Sequence, residues 1–107
     1  MPHLRVRNID QAALLAASTR LVDRLQEAIG CDRSWLTIEH EHCAALRDGQ
    51  VIAGNPFVQV LWFPRPAPLP QQVAAIIAEE LRGQADFVTV VFTELTDSLY
   101  FENGQTV

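Results

Sequence analysis

The sequence predicts an α/β (α+β) fold: two βαβ repeats forming one four-stranded mixed sheet with two helices on one face, then a C-terminal β tail. Three observations predict it. Stretches with strand periodicity and stretches with helical periodicity follow the order strand, helix, strand, and then the same order again. The two halves also match locally. Pro2-His3-Leu4-Arg5-Val6 has a counterpart in Pro56-Phe57-Val58-Gln59-Val60, and Trp35-Leu36-Thr37-Ile38 has one in Phe87-Val88-Thr89-Val90. Finally, each helical stretch ends in a glycine a few residues before the second strand of its half.

The first strand is Pro2 to Arg7. Leu4 and Val6 alternate with His3, Arg5 and Arg7, the period of a half-buried strand. Asn8-Ile9-Asp10 offers N-cap residues. Leu14, Leu21, Leu25 and Ile29 then make an apolar stripe that predicts a helix over 10–29, stopped by Gly30. Ser34 to Leu46 reads as the next strand, with Leu36, Ile38, His40 and His42 on one face and Thr37, Glu39 and Glu41 on the other. Arg47-Asp48-Gly49-Gln50 is a turn, after which Val51-Ile52 pairs back briefly. Phe57 to Phe63 is apolar on nearly both faces, as a central strand requires.

The run Pro64 to Pro70 is a stiff connection, and Pro70 suits a first helical position. Val73, Ile76, Ile77 and Leu81 give the second helical stripe, ending at Gly83. Asp86 to Glu94 is a strand rich in β-branched and aromatic residues. In the tail, Asn103-Gly104 is the strongest short hairpin signal.

Composition narrows the function classes. The chain has 107 residues, 49% hydrophobic and 20% charged, which suits one globular domain spanning 1–107. A net charge of −5 argues against a nucleic-acid binder, and no apolar run approaches the roughly 18 residues of a membrane span. The start is polar and strand-like, unlike a signal peptide, and Cys31 and Cys43 make no disulfide framework. A cytoplasmic location is expected.

The face of the sheet away from the helices would carry His3, Arg5, Arg7, Thr37, Glu39, Glu41, Gln59 and Thr89. Arg5 and Arg7 beside Glu39 and Glu41 can neutralise one another. Such a face is either the solvent-exposed surface of a monomeric ferredoxin-like sandwich or the lining of a ring of subunits. The order of elements does not separate the two.

Pro2, the doubled βαβ unit with its second proline at Pro56, and the β-rich tail together resemble the tautomerase superfamily, which includes macrophage migration inhibitory factor and oxalocrotonate tautomerase. Pro2-His3-Leu4-Arg5, Leu61-Trp62-Phe63 with Arg65, Phe92-Thr93-Glu94-Leu95 and Tyr100-Phe101-Glu102-Asn103-Gly104 resemble an uncharacterised bacterial branch of it. The resemblance implies a tautomerase-like fold, a homotrimer with helices outside, and a tail that pairs with an adjacent subunit. It also implies that Pro2, once Met1 is removed, is a catalytic base in a pocket at a subunit interface. By the same resemblance, Arg65 borders the proline pocket as a contact for a substrate carboxylate or enolate oxygen.

The departures from the family pattern are specific. Where macrophage migration inhibitory factor has a lysine after the first helix, this chain has Cys31, and the nearest cation is Arg33. Thr89 and Val91 fall where that relative offers a tyrosine and an asparagine, and Tyr100 is the replacement acid. The expected substrate-binding residues are therefore Arg65, Arg33, Phe63 and Tyr100.

His40-Glu41-His42-Cys43 places two histidines on one face of a strand without a third ligand, so no metal and no cofactor is expected. The expected function is a tautomerase or isomerase acting on a small keto or enol acid. The competing expectation is a non-catalytic trimer of the same fold that binds a small ligand or a partner.

Overall fold

The computed structural model describes residues 2–107. The expected loss of Met1 falls outside the described residues. Strand β1 (His3–Arg7) leads into helix α1 (Gln11–Ile29) and strand β2 (Thr37–His40). A hairpin, β3 (Ala45–Arg47) and β4 (Gln50–Ile52), separates the halves. The second half repeats the plan with β5 (Phe57–Trp62), α2 (Leu69–Leu81) and β6 (Thr89–Glu94), and a tail hairpin of β7 (Phe101–Glu102) and β8 (Gln105–Thr106) follows.

The main sheet has the order β2-β1-β5-β6. Each half contributes a parallel pair, β1 with β2 and β5 with β6, and the halves meet where β1 runs antiparallel to β5. This is the tautomerase-like arrangement expected from the sequence. Both helices cover one face. Leu4, Val6, Val58, Val60 and Trp62 from the sheet meet Leu14, Leu21 and Leu25 from α1 and Val73, Ile77 and Leu81 from α2. Arg24 of α1 reaches Glu79 and Glu80 of α2, each at 2.8 Å, and ties the helices together on their outer side.

The two halves correspond in detail. The rings of Pro2 and Pro56 are both buried. The Pro2 carbonyl accepts from the Thr37 N–H at 3.4 Å, and the Pro56 carbonyl accepts from the Thr89 N–H at 3.0 Å. The correspondence extends to the hairpins. Leu46-Arg47-Asp48-Gly49-Gln50-Val51 matches Phe101-Glu102-Asn103-Gly104-Gln105-Thr106. Both turns use two left-handed residues, Asp48 and Gly49 at φ 53° and 74°, and Asn103 and Gly104 at φ 54° and 75°. These tight turns match the twist of the strands that they join.

The helices behave as expected. Asp10 caps α1, its carboxylate accepting from the Ala13 N–H, and Gly30 closes the helix at φ 73°. The second helix opens one residue before Pro70, which lies in its first turn.

Four strands are shorter than the sequence reading, the first of them only by Pro2. The stretch Ser34 to Leu46 is not one strand. Asp32 accepts from the backbone N–H and the hydroxyl of Ser34, which winds residues 33–35 into a single 3-10 turn before β2. At the other end the Glu41 N–H still reaches the Val6 carbonyl at 2.8 Å, but β1 stops at Arg7 and Asn8 turns away at φ 63°, so the ladder goes no further. Ala45 and Leu46 belong instead to the separate hairpin. In the second half, Asp86 is held outside the sheet by Asn55, whose side-chain oxygen accepts its N–H at 3.1 Å. The ladder therefore starts at Thr89, opposite Phe57. Strand β5 ends at Trp62 rather than Phe63, just before Pro64.

The face away from the helices carries the expected charge ladder. His3 Nε2 donates to Glu39 at 2.6 Å. Arg5 lies 3.5 Å from Glu39 and 4.0 Å from Glu41, and Arg7 lies 3.7 Å from Glu41. Gln59 donates to the Thr93 hydroxyl at 2.9 Å. Among the described residues, no helix is long and apolar enough to cross a membrane.

Candidate functional site

Pro2 stands at one end of the main sheet. His3 is opposite Thr37 on one side and Leu61 on the other, so Pro2 lies between the entry of β2 and the exit of β5. At this same end Phe63 continues β5, Trp35 precedes β2, and the tail folds back across both.

These segments enclose a cleft of about 440 Å³ lined by Trp35, Phe63, Arg65, Asp97, Tyr100, Glu102 and Val107. Each wall has a local cause. The Arg65 guanidinium lies over the indole of the buried Trp62, 5.9 Å from its ring centroid, and Trp62 stacks on Phe92 at 4.9 Å. The arginine is thereby held by an aromatic face. Among the described residues it makes no ion pair, in contrast to Arg5, Arg7, Arg20, Arg24 and Arg33.

Tyr100 meets Phe63 edge-to-face, with centroids 5.1 Å apart, and its hydroxyl donates to the Glu102 carboxylate at 2.9 Å. Partial burial raises the Tyr100 pKa, and the hydrogen bond to Glu102 and that residue's charge act the same way. Tyr100 is therefore a neutral phenol at pH 7 and can donate a hydrogen bond or a proton.

The cleft brings together three of the residues singled out from sequence: Phe63, Arg65 and Tyr100. Pro2 is at the same end of the sheet, but its ring is buried on the helix side and does not line the cleft. Arg33, expected among the substrate-binding residues, lies outside the cleft and is paired with Asp23. Trp35 is half exposed and forms a cleft wall. Asp97 and Glu102 were not anticipated. The only sequence signal for Glu102 was its place two residues after Tyr100 in a hairpin.

The His40-His42 pair lies elsewhere. The rings are 4.5 Å apart, and His40 Nε2 donates to the Ile9 carbonyl at 2.8 Å. Cys43 donates to the Asn8 side-chain oxygen at 3.4 Å. Among the described residues, no three His, Cys, Asp or Glu side chains are grouped to hold a metal ion.

The profile of a domain of unknown function, DUF1904, matches residues 1–106. A crystal structure of a DUF1904 domain from Sebaldella termitidis ATCC 33386 is similar over 100% of both chains, at 31% identity and a TM-score of 0.92. A protein of unknown function from Vibrio cholerae O1 biovar eltor is similar over 99% of this chain and 87% of its own, at 28% identity and a TM-score of 0.88. A macrophage migration inhibitory factor-like protein from Entamoeba histolytica shares the fold, at 14% identity and a TM-score of 0.68 over 99% of this chain and 98% of its own. No curated protein matches the chain.

Proposed function

The chain belongs to the DUF1904 family, a domain of unknown function, and from that premise we propose that it is a tautomerase- or isomerase-like enzyme acting on a small keto or enol acid. The observation that carries this reading is Arg65, a guanidinium without an ion pair among the described residues, standing with Phe63 and Tyr100 in a cleft at the Pro2 end of a tautomerase-like sheet.

Removal of Met1 gives Pro2 a secondary amine. An ordinary α-amino group titrates near 7.7–8.0, and a secondary amine is more basic still. Apolar surroundings favour the neutral form, so the burial of Pro2 supports its use as a base. In ketonisation the amine takes the enol hydroxyl proton as the carbonyl forms. The resulting ammonium returns a proton to the adjacent carbon, and no net charge is left on the protein. Arg65 binds the carboxylate or the developing enolate oxygen with its planar fork. Phe63 and Tyr100 hold the organic part with their ring faces. General base catalysis of this kind typically contributes about 10²–10⁴-fold.

Residues 1–107 act as one domain in a cytoplasmic homotrimer, and a neighbouring copy closes the site. The open edges of β2 and β6, and the exposed apolar Val91, Leu99 and Phe101, support such an assembly. The test is intact-mass measurement of the native protein, followed by ketonisation assays on phenylpyruvate enol and a 2-hydroxydienoate. A free amino-terminal proline, with activity that Pro2→Ala loses, is expected. Retained Met1 in active protein would remove Pro2 from the mechanism.

One observation favours the second reading, a non-catalytic module of the same fold. Pro2 lies beside the cleft without lining it. In that case Pro2→Ala leaves ligand binding unchanged, and no isomerisation is detected with wild type.

A further inference from the structure

We propose, on the reading that the Arg65 cleft is the substrate site, that it selects an aryl monocarboxylate and turns away dicarboxylates, with Asp97 and Glu102 as the specificity-determining residues. The cleft holds one cation, Arg65, and two carboxylates, Asp97 and Glu102. A single ligand carboxylate finds its counter-charge on Arg65. A second one finds no other cation among the lining residues and enters the field of the acidic pair. Both acids are exposed side chains of the returning tail, so they can meet a ligand without rearrangement of the core.

The remaining walls specify the ligand body. Trp35, Phe63 and Tyr100 present aromatic surface, and Phe63 and Tyr100 are already locked edge-to-face at 5.1 Å. Aromatic walls favour a planar ring over a flexible chain of equal polarity. A volume of about 440 Å³ is near the lower end of small-molecule sites and suits one ring with a short acid arm. The Tyr100 hydroxyl is committed to Glu102 at 2.9 Å, which keeps that carboxylate at the wall rather than folded away into solvent.

The test uses the full-length protein and two unreactive probes with the same skeleton, 3-phenylpropanoate and 3-(4-carboxyphenyl)propanoate, titrated calorimetrically. Wild type is expected to bind the monoacid about tenfold more tightly, the factor that 1.4 kcal/mol represents. The double variant Asp97→Asn/Glu102→Gln should bring the two affinities within about twofold, a residue of the difference too small to matter beside that tenfold. In wild type, raising the salt from about 0.1 to about 1 M shortens the Debye length from about 10 to about 3 Å and should shrink the preference. Circular dichroism shows whether the double variant is folded. If it is not, Asp97→Asn and the salt series give the answer. Equal or tighter binding of the diacid by wild type, or a preference that survives both the variant and the salt, overturns the proposal.

Arg65→Gln separates the two levels. If it leaves binding of both probes unchanged, or if neither probe binds wild type, the cleft itself is not the acid site. If Arg65 matters but the acidic pair does not discriminate, only the selectivity claim falls.

Discussion

Phe63 meets Tyr100 edge-to-face across 5.1 Å, and this contact fastens the tail hairpin to the exit of β5. Four residues at most carry the chain from Tyr100 to the turn at Asn103-Gly104, so the aromatic pair sets where Glu102 stands. Aromatic pairs of this kind contribute about 0.5–1.5 kcal/mol beyond the area they bury.

Replacing Phe63 by Ala should therefore loosen the tail without unfolding the sheet. Hydrogen exchange at residues 101–106 is expected to rise several-fold, while amides of β1 and β5 keep their protection. Equal protection throughout would show that the tail is held by something else.

Tyr100→Phe keeps the ring contact and removes the hydrogen bond to Glu102. Stability should change little, because the bond removed lies at the surface, where water can replace it. If the phenol serves the reaction, kcat should fall while binding of 3-phenylpropanoate is kept. A kcat equal to wild type would assign Tyr100 to the wall alone.

The Glu39 carboxyl is held below its ordinary range, first by the hydrogen bond from His3, then by His3's charge and, more weakly, by Arg5. Its folded value thus lies below the unfolded one. The stabilisation is complete above the unfolded value, about 4.3, and is lost as pH falls through the depressed folded value. Urea unfolding between pH 6 and pH 2 should show a smaller acid loss in Glu39→Gln than in wild type. Identical acid limbs would mean that the ladder is solvated in solution.

Leu21 is fully buried between the sheet and the second helix's apolar side. Leu21→Ala should cost about 2–5 kcal/mol, the range for a buried leucine whose cavity only partly collapses. Denaturant midpoints with an unchanged slope check this. A loss below about 1 kcal/mol would show that the helices close the gap.

Gly104 sits at φ 75°, and Gly49 at φ 74° in the matching hairpin. A side chain in this left-handed region costs about 1–2 kcal/mol. Gly104→Ala should raise exchange in the tail and lower affinity for the cleft probes. Gly49→Ala should leave those affinities unchanged, because the middle hairpin does not line the cleft.

Much of this architecture could be read from local chemistry. Asp10 and Gly30 bound the first helix by capping rules that need no tertiary context. The alternation of Arg5 and Arg7 against Glu39 and Glu41 foretold the ladder, because parallel register brings those faces together. The failures came where a partner decides. His40 ends its strand because Asn8 turns β1 away, and nothing between His40 and Leu46 announces that turn. Arg65, Phe63 and Tyr100 were found as single residues, but the cleft depends on the tail folding back over Trp35. That return is a long-range packing choice, so Asp97 carries no legible signal and Glu102 only its place beside Tyr100 in a hairpin.

Pro56 repeats Pro2 in burial and in the bond that its carbonyl receives, yet its nitrogen is joined to Asn55 and can never be released. A twofold blueprint would ordinarily furnish a matched pair of reactive corners. Here covalent continuity silences one of them for good, so any amine chemistry in this molecule is restricted to a single pole, whatever the symmetry of the scaffold.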